Sequence, residues 1–96
     1  MATKKTKKSD LMPETMIAKR LISSYPDSIV TDEDGNLDFE ETVYNFAVDV
    51  CDSIPESQQE PIFGTIFNDY DEAYEHIINH IHSLRYNLEK YINEDL

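Results

Sequence analysis

Between Arg20 and Arg85 the chain contains no lysine or arginine, a gap of 64 residues that holds fifteen aspartates and glutamates. That absence removes the Glu–Lys pairs at i,i+4 that stabilise ordinary surface helices by ~0.2–0.5 kcal/mol each. It also opposes direct binding of nucleic acid by this stretch, because phosphate contact needs Lys and Arg. Cysteine is nearly absent, and Cys51 alone excludes an internal disulfide. Two glycines and four prolines suit helices better than a sandwich of short strands. No glycine-rich phosphate loop and no Gly-x-Ser-x-Gly nucleophile turn is present. No run approaches the ~20 apolar residues of a membrane span. The charged N-terminus is followed by no apolar segment of the secretory type. The expectation is a non-enzymatic, soluble protein of the cytoplasm, the host cell's cytoplasm if the chain is phage-encoded.

What remains is enough for one small fold. The 96 residues are 40% hydrophobic and carry a net charge of −12, above the apolar range of disordered chains. The charge is unevenly placed. Residues 1–20 hold six bases and two acids, a net of +4, whereas residues 21–96 hold two bases and eighteen acids, a net of −16. Such self-repulsion destabilises a compact state, so a purpose other than stability is implied. The lysine-rich start, with Lys4, Lys5, Lys7 and Lys8, predicts a disordered basic tail over residues 1–9 ahead of an acidic helical domain over residues 10–96.

Periodicity predicts an all-α fold with three main helices, short helical turns and a long C-terminal helix. Asp10, Pro13 and Glu14 open the first, whose stripe is Met16, Ile17, Leu21 and Ile22, and Tyr25-Pro26 ends it. An acidic, turn-rich loop follows over residues 27–38. Asp38 and Glu41 have the spacing of a capping box before Phe39, Val43, Phe46, Ala47, Val50 and Ile54. The other face of that helix carries Glu41, Asn45, Asp49 and Asp52, and Ser53-Ile54-Pro55 stops it. Residues 55–68 predict one or two helical turns docked through Ile62, Phe63, Ile66 and Phe67. Asp69 and Glu72 repeat the capping pattern. Tyr74, Ile77, Ile78, Ile81, Leu84, Leu88, Tyr91 and Ile92 then form one stripe about 35 Å long, if a single helix carries it. Arg85 and Lys90 fall near its C-terminal end, where the helix dipole favours cations.

Three constellations invite chemistry and none is expected to perform it. Asp32, Asp34 and Asn36 match positions 1, 3 and 5 of a calcium loop, but Leu37 stands where the turn needs glycine and Val43 where a bidentate glutamate belongs. His76 and His80, with Glu72 a turn earlier, share a helix face but lack the further ligand of a zinc site. Cys51 lies at the edge of an apolar stripe beside Asp49 and Asp52, whose charge disfavours a reactive thiolate. No cofactor and no metal is therefore expected.

The carboxylates themselves are the remaining candidates. Duplex DNA carries about one charge per 1.7 Å, so a duplex ~32 Å long, the expected breadth of such a domain, carries about 19 charges, close to the −16 of residues 21–96. Asp71 and Glu75 lie about 6 Å apart along a helix axis, and Glu41, Asp49 and Asp52 span about 16 Å. Rows of this kind can stand in for phosphates inside a basic groove.

From Thr31 onward the chain resembles the Ocr-type phage antirestriction proteins, which mimic DNA and block type I restriction enzymes. The likeness lies in order and pattern over about two-thirds of the chain. An acidic turn (Asp32, Glu33, Asp34) leads into a helix opening Asp38-Phe39-Glu40-Glu41, which stops at Ser53-Ile54-Pro55. A short segment with Ile62-Phe63 and an acidic helix from Asp69 follow. The chain departs from the family in having no Trp, no long acidic C-terminal tail and an added lysine-rich start. The resemblance implies antirestriction by DNA mimicry and a homodimer. The candidate partner-binding residues are Asp32, Glu33, Asp34, Asp38, Glu40, Glu41, Asp49, Asp52, Glu56, Glu60, Asp69, Asp71, Glu72 and Glu75. The partner expected is a basic DNA-binding protein of the host, a restriction–modification enzyme first. CRISPR effectors, polymerases and nucleoid proteins offer similar grooves. A helical adaptor using an apolar patch of Phe63, Phe67 and Tyr70 is the alternative of a different kind.

Overall fold

Pro13, with φ of −59° and ψ of 149°, sets the chain just outside a helix and lets Glu14 begin it, since proline at a helix start sacrifices no intrahelical hydrogen bond. A computed structural model describes residues 13–94. Five α-helices follow in order: α1 (Glu14–Ser24), α2 (Phe39–Ser53), α3 (Glu56–Phe63), α4 (Tyr70–His80) and α5 (Leu84–Glu94), with a 3-10 turn at Pro26–Ser28. Among the described residues the only β pairing is the isolated bridge between Thr31 and Leu37. The fold is thus all-α. The basic tail and the helix-opening role of Asp10 lie outside the described residues.

The two capping patterns work, but each by half. Asp38 accepts a hydrogen bond from the Glu41 amide at 3.2 Å, and Asp69 accepts one from the Glu72 amide at 2.9 Å. The reciprocal arms go elsewhere. The Asp38 amide donates to the Val30 carbonyl, and Glu72 takes the Asn68 amide at 3.0 Å. Both caps stabilise the positive end of a helix with a carboxylate.

The expected long C-terminal helix is two helices. α4 ends at Ile81, with φ of −104° and ψ of 73°, and α5 restarts at Leu84 after a turn in which the Leu84 amide donates to the Ile81 carbonyl. The Glu14 carboxylate holds the new start by accepting the Ser83 amide at 2.6 Å. The break turns α5 onto α1, and α4 packs along α2. Periodicity misses the break because Ile77, Ile81, Leu84 and Leu88 keep helical spacing on both sides of it and are all buried.

One core joins all five helices. Ile17, Leu21, Val43, Phe46, Val50, Ile62, Phe63, Phe67, Ile77, Leu84 and Leu88 belong to it. Met16, expected in the first stripe, is 56% exposed and Ala18 takes the inward place. The segment read as helical turns is the regular helix α3 despite Pro61. It ends at Gly64, whose φ of 83° is left-handed and favours glycine. Gln59, only 2% exposed, anchors it. Its amide nitrogen donates to the Ile54 carbonyl at 2.8 Å and its oxygen accepts the Phe67 amide at 3.0 Å.

Candidate functional site

The fold sorts charge by helix pair. Every lysine and arginine among the described residues lies on α1 (Lys19, Arg20) or α5 (Arg85, Lys90), the two helices packed together. The segment from the 3-10 turn to the end of α4 carries fifteen acids and no base. The ion pairs among the described residues, Arg85–Glu89 and Lys90–Glu94, both 3.9 Å, lie within α5. None of the fourteen candidate acids is in an ion pair there.

Twelve of those fourteen are exposed, and Asp38 and Asp49 are half-buried. They divide by what their oxygens do. Asp32 accepts the amides of Asp34 and Asn36, both at 2.9 Å, and closes its own loop with Gly35 at φ of 85°. Asp38 and Asp69 cap α2 and α4, and Glu72 holds Asn68. Asp49 receives the Ser28 hydroxyl and, beside Asn45 bonded to the Ser28 carbonyl at 3.1 Å, fastens the 3-10 turn to α2. Asp49 therefore faces the protein rather than continuing a free row from Glu41. Asp52 accepts the Tyr70 hydroxyl at 2.9 Å. Glu33, Asp34, Glu40, Glu41, Glu56, Glu60, Asp71 and Glu75 are exposed, and their side chains make no hydrogen bond among the described residues. These eight are the acids most available to a partner.

The acids also converge across elements. The end of α2 and the start of α4 meet in a groove of about 450 Å³ lined by Asp52, Glu56 and Asp69 with Cys51, Gln59 and Tyr70. Cys51 sits at its inner edge, its thiol 3.7 Å from the Asp69 carbonyl. Burial, then Asp52, Asp69 and Glu72, push its pKa up. The thiol therefore stays protonated, as expected, although the acting acids are Asp52, Asp69 and Glu72 rather than Asp49.

The other constellations resolve into structural roles. The Asp32 loop uses its carboxylate on its own backbone. His76 and His80 stack at 4.3 Å between ring centroids, and His76 also meets Phe67 at 5.3 Å and Phe63 edge-on at 6.0 Å. Burial, then His80, lowers the His76 pKa. No group of three or more metal-ligating side chains occurs among the described residues. Phe63 and Phe67, placed by the adaptor reading on a surface patch, are core residues at 6% exposure each, and Tyr70 alone of that trio is exposed. No helix among the described residues is long and apolar enough to cross a membrane.

Tyr44 escaped the sequence reading as a binding residue, and Tyr70 entered it only with Phe63 and Phe67 in the apolar patch of the adaptor alternative. Tyr44 and Tyr70 are 42% and 40% exposed, and Tyr44 stands 6.2 Å from Tyr74 between centroids. Their spacing on two amphipathic helices reads as core edge, and only the packing of α2 on α4 joins them. No protein-family model, curated protein or solved structure matches this chain.

Proposed function

We propose that this protein is a non-enzymatic DNA mimic that occupies the basic DNA-binding groove of a host defence enzyme, a type I restriction–modification enzyme first among them. The observation that carries the reading is the absence of internal neutralisation. Fifteen acids on the 3-10 turn, α2, α3, α4 and their loops form no ion pair with a lysine or arginine among the described residues, and most stand exposed. Carboxylates spaced by helical geometry present a dense array of negative charge at small entropic cost, because the scaffold already holds them. Each would meet a Lys or Arg that otherwise contacts phosphate. The likeness in element order to the Ocr-type antirestriction proteins supports the choice of target, and it rests on pattern rather than shared sequence.

The test is competition between the purified protein and a labelled duplex for a type I restriction–modification enzyme at two salt concentrations. Displacement at near-stoichiometric protein, fading as salt rises, is the expected result, since both ligands bind by charge. Affinity that stays flat with salt, or no displacement, sinks the proposal for that enzyme.

A further inference from the structure

A row of carboxylates does not explain why tyrosines line the seam between α2 and α4. Tyr44 on α2 packs its ring against Tyr74 on α4, with the planes at 55°. The Tyr70 hydroxyl donates to Asp52. Tyr70 precedes Tyr74 by four residues on α4, so the two lie on one face of that helix. Tyr44 and Tyr74 thus pair across the seam with Tyr70 one turn along α4, on helices whose inward faces carry the buried Val43 and Ala47 of α2 and Ala73 and Ile77 of α4. Exposed acids flank it: Glu41 one helical turn before Tyr44, Asp71 one turn before Tyr74, and Asp52 bonded to Tyr70.

Aromatic faces rimmed by carboxylates select one kind of cation. A cation over a ring face is attracted by the ring's quadrupole. Guanidinium suits the site better than ammonium, because it is planar, weakly hydrated, stacks on rings and still offers donors to a carboxylate. The protein contains one such arrangement internally. The Arg85 guanidinium carbon lies 4.6 Å from the Phe39 ring centroid, with Glu89 3.9 Å from its Nη1. Tyrosines already fixed by packing lose little freedom on binding, which favours them as anchors.

We propose that the α2–α4 seam is a docking surface for an arginine-bearing segment of a basic protein, with Tyr44, Tyr70 and Tyr74 receiving guanidinium planes and Glu41, Asp52 and Asp71 meeting their charge. Charge complementarity selects this occupant. The seam lies in a stretch of fifteen acids without a base, so a second copy would set like charge against like. The proposal rests on the groove-mimic reading and deepens it, for the surface then distinguishes arginine from lysine rather than responding to net charge alone.

The probes are an oligo-arginine and an oligo-lysine peptide of equal length, titrated into the full chain at fixed ionic strength. Binding is followed by NMR of the tyrosine ring protons and by peptide anisotropy. The arginine peptide should bind more tightly by about two- to fivefold per stacked ring, with the largest shifts at Tyr44, Tyr70 and Tyr74. Tyr44→Leu and Tyr70→Leu should erase that preference by weakening the arginine peptide far more than the lysine peptide, and Tyr44→Phe should keep it. A helical circular-dichroism signal checks that each variant is folded. Equal binding of the two peptides, or shifts spread evenly over all acidic elements, overturns the proposal. So does a dimer in sedimentation that Tyr44→Leu dissociates, because the seam is then a self-interface. An arginine preference without displacement of DNA from the restriction enzyme keeps the seam and removes the groove reading. Displacement with no arginine preference does the reverse.

Discussion

The α1–α5 pair and the α2–α4 pair handle charge in opposite ways. On α5, Arg85 and Lys90 each face a glutamate one turn later, Glu89 and Glu94. On α4, Asp71 and Glu75 have the same spacing and the same sign, and on α3 so do Glu56 and Glu60. On α5 the chain therefore does use i,i+4 pairing. Its omission from α2 through α4 leaves a surface whose charge is not spent internally. The contrast teaches that the acidic side forgoes a small amount of helix stability and leaves eight exposed carboxylates without a partner among the described residues, as the proposed mimicry requires.

The severest break in that contrast comes from detaching the basic side. Leu88 is fully buried where α5 packs into the core. Leu88→Ala should lower unfolding free energy by about 2–5 kcal/mol, measured by urea denaturation followed by circular dichroism. On the acidic side the corresponding weak point is polar. Gln59→Leu leaves the Ile54 carbonyl and the Phe67 amide without their partner and should cost about 1–3 kcal/mol. Amide exchange should quicken first at Phe67, and an unchanged rate there would contradict the anchoring role.

A smaller effect is pH-dependent. The folded-state pKa of His76 is lowered from the ordinary 6.5 by burial and by His80, so the unfolded chain binds the proton more readily. The sign follows from linkage: stability rises with pH wherever the unfolded state holds more protons. This contribution is complete above about pH 7 and is lost as pH falls through 6.5 toward the lowered value. Denaturation midpoints of the protein and of His76→Gln should converge or cross over that window, and parallel curves would remove His76 as the cause. The smallest expected change sharpens the contrast most directly. Glu75→Lys creates an Asp71–Lys pair of the α5 kind and should stabilise by about 0.2–0.5 kcal/mol, while weakening displacement of DNA from the proposed target. A variant improved in both respects would contradict the trade between stability and binding.

The sequence by itself determined whatever is local or additive. The caps at Asp38 and Asp69 lie within one turn of the amides they hold, the apolar stripes repeat at helical spacing, and the gap between Arg20 and Arg85 is a matter of counting. Only the tertiary structure decided the rest. The break after Ile81 is met by Glu14, 69 residues from Ser83, and spacing that remains periodic across a turn carries no sign of it. The polar Gln59 became a core anchor because two backbone groups from other segments converge on it. Helices α1 and α5 pair with each other and carry the described bases, and the packing of α2 on α4 brings Tyr44 against Tyr74. Neither grouping is written in any window of sequence, because each arises from the packing of helices distant along the chain.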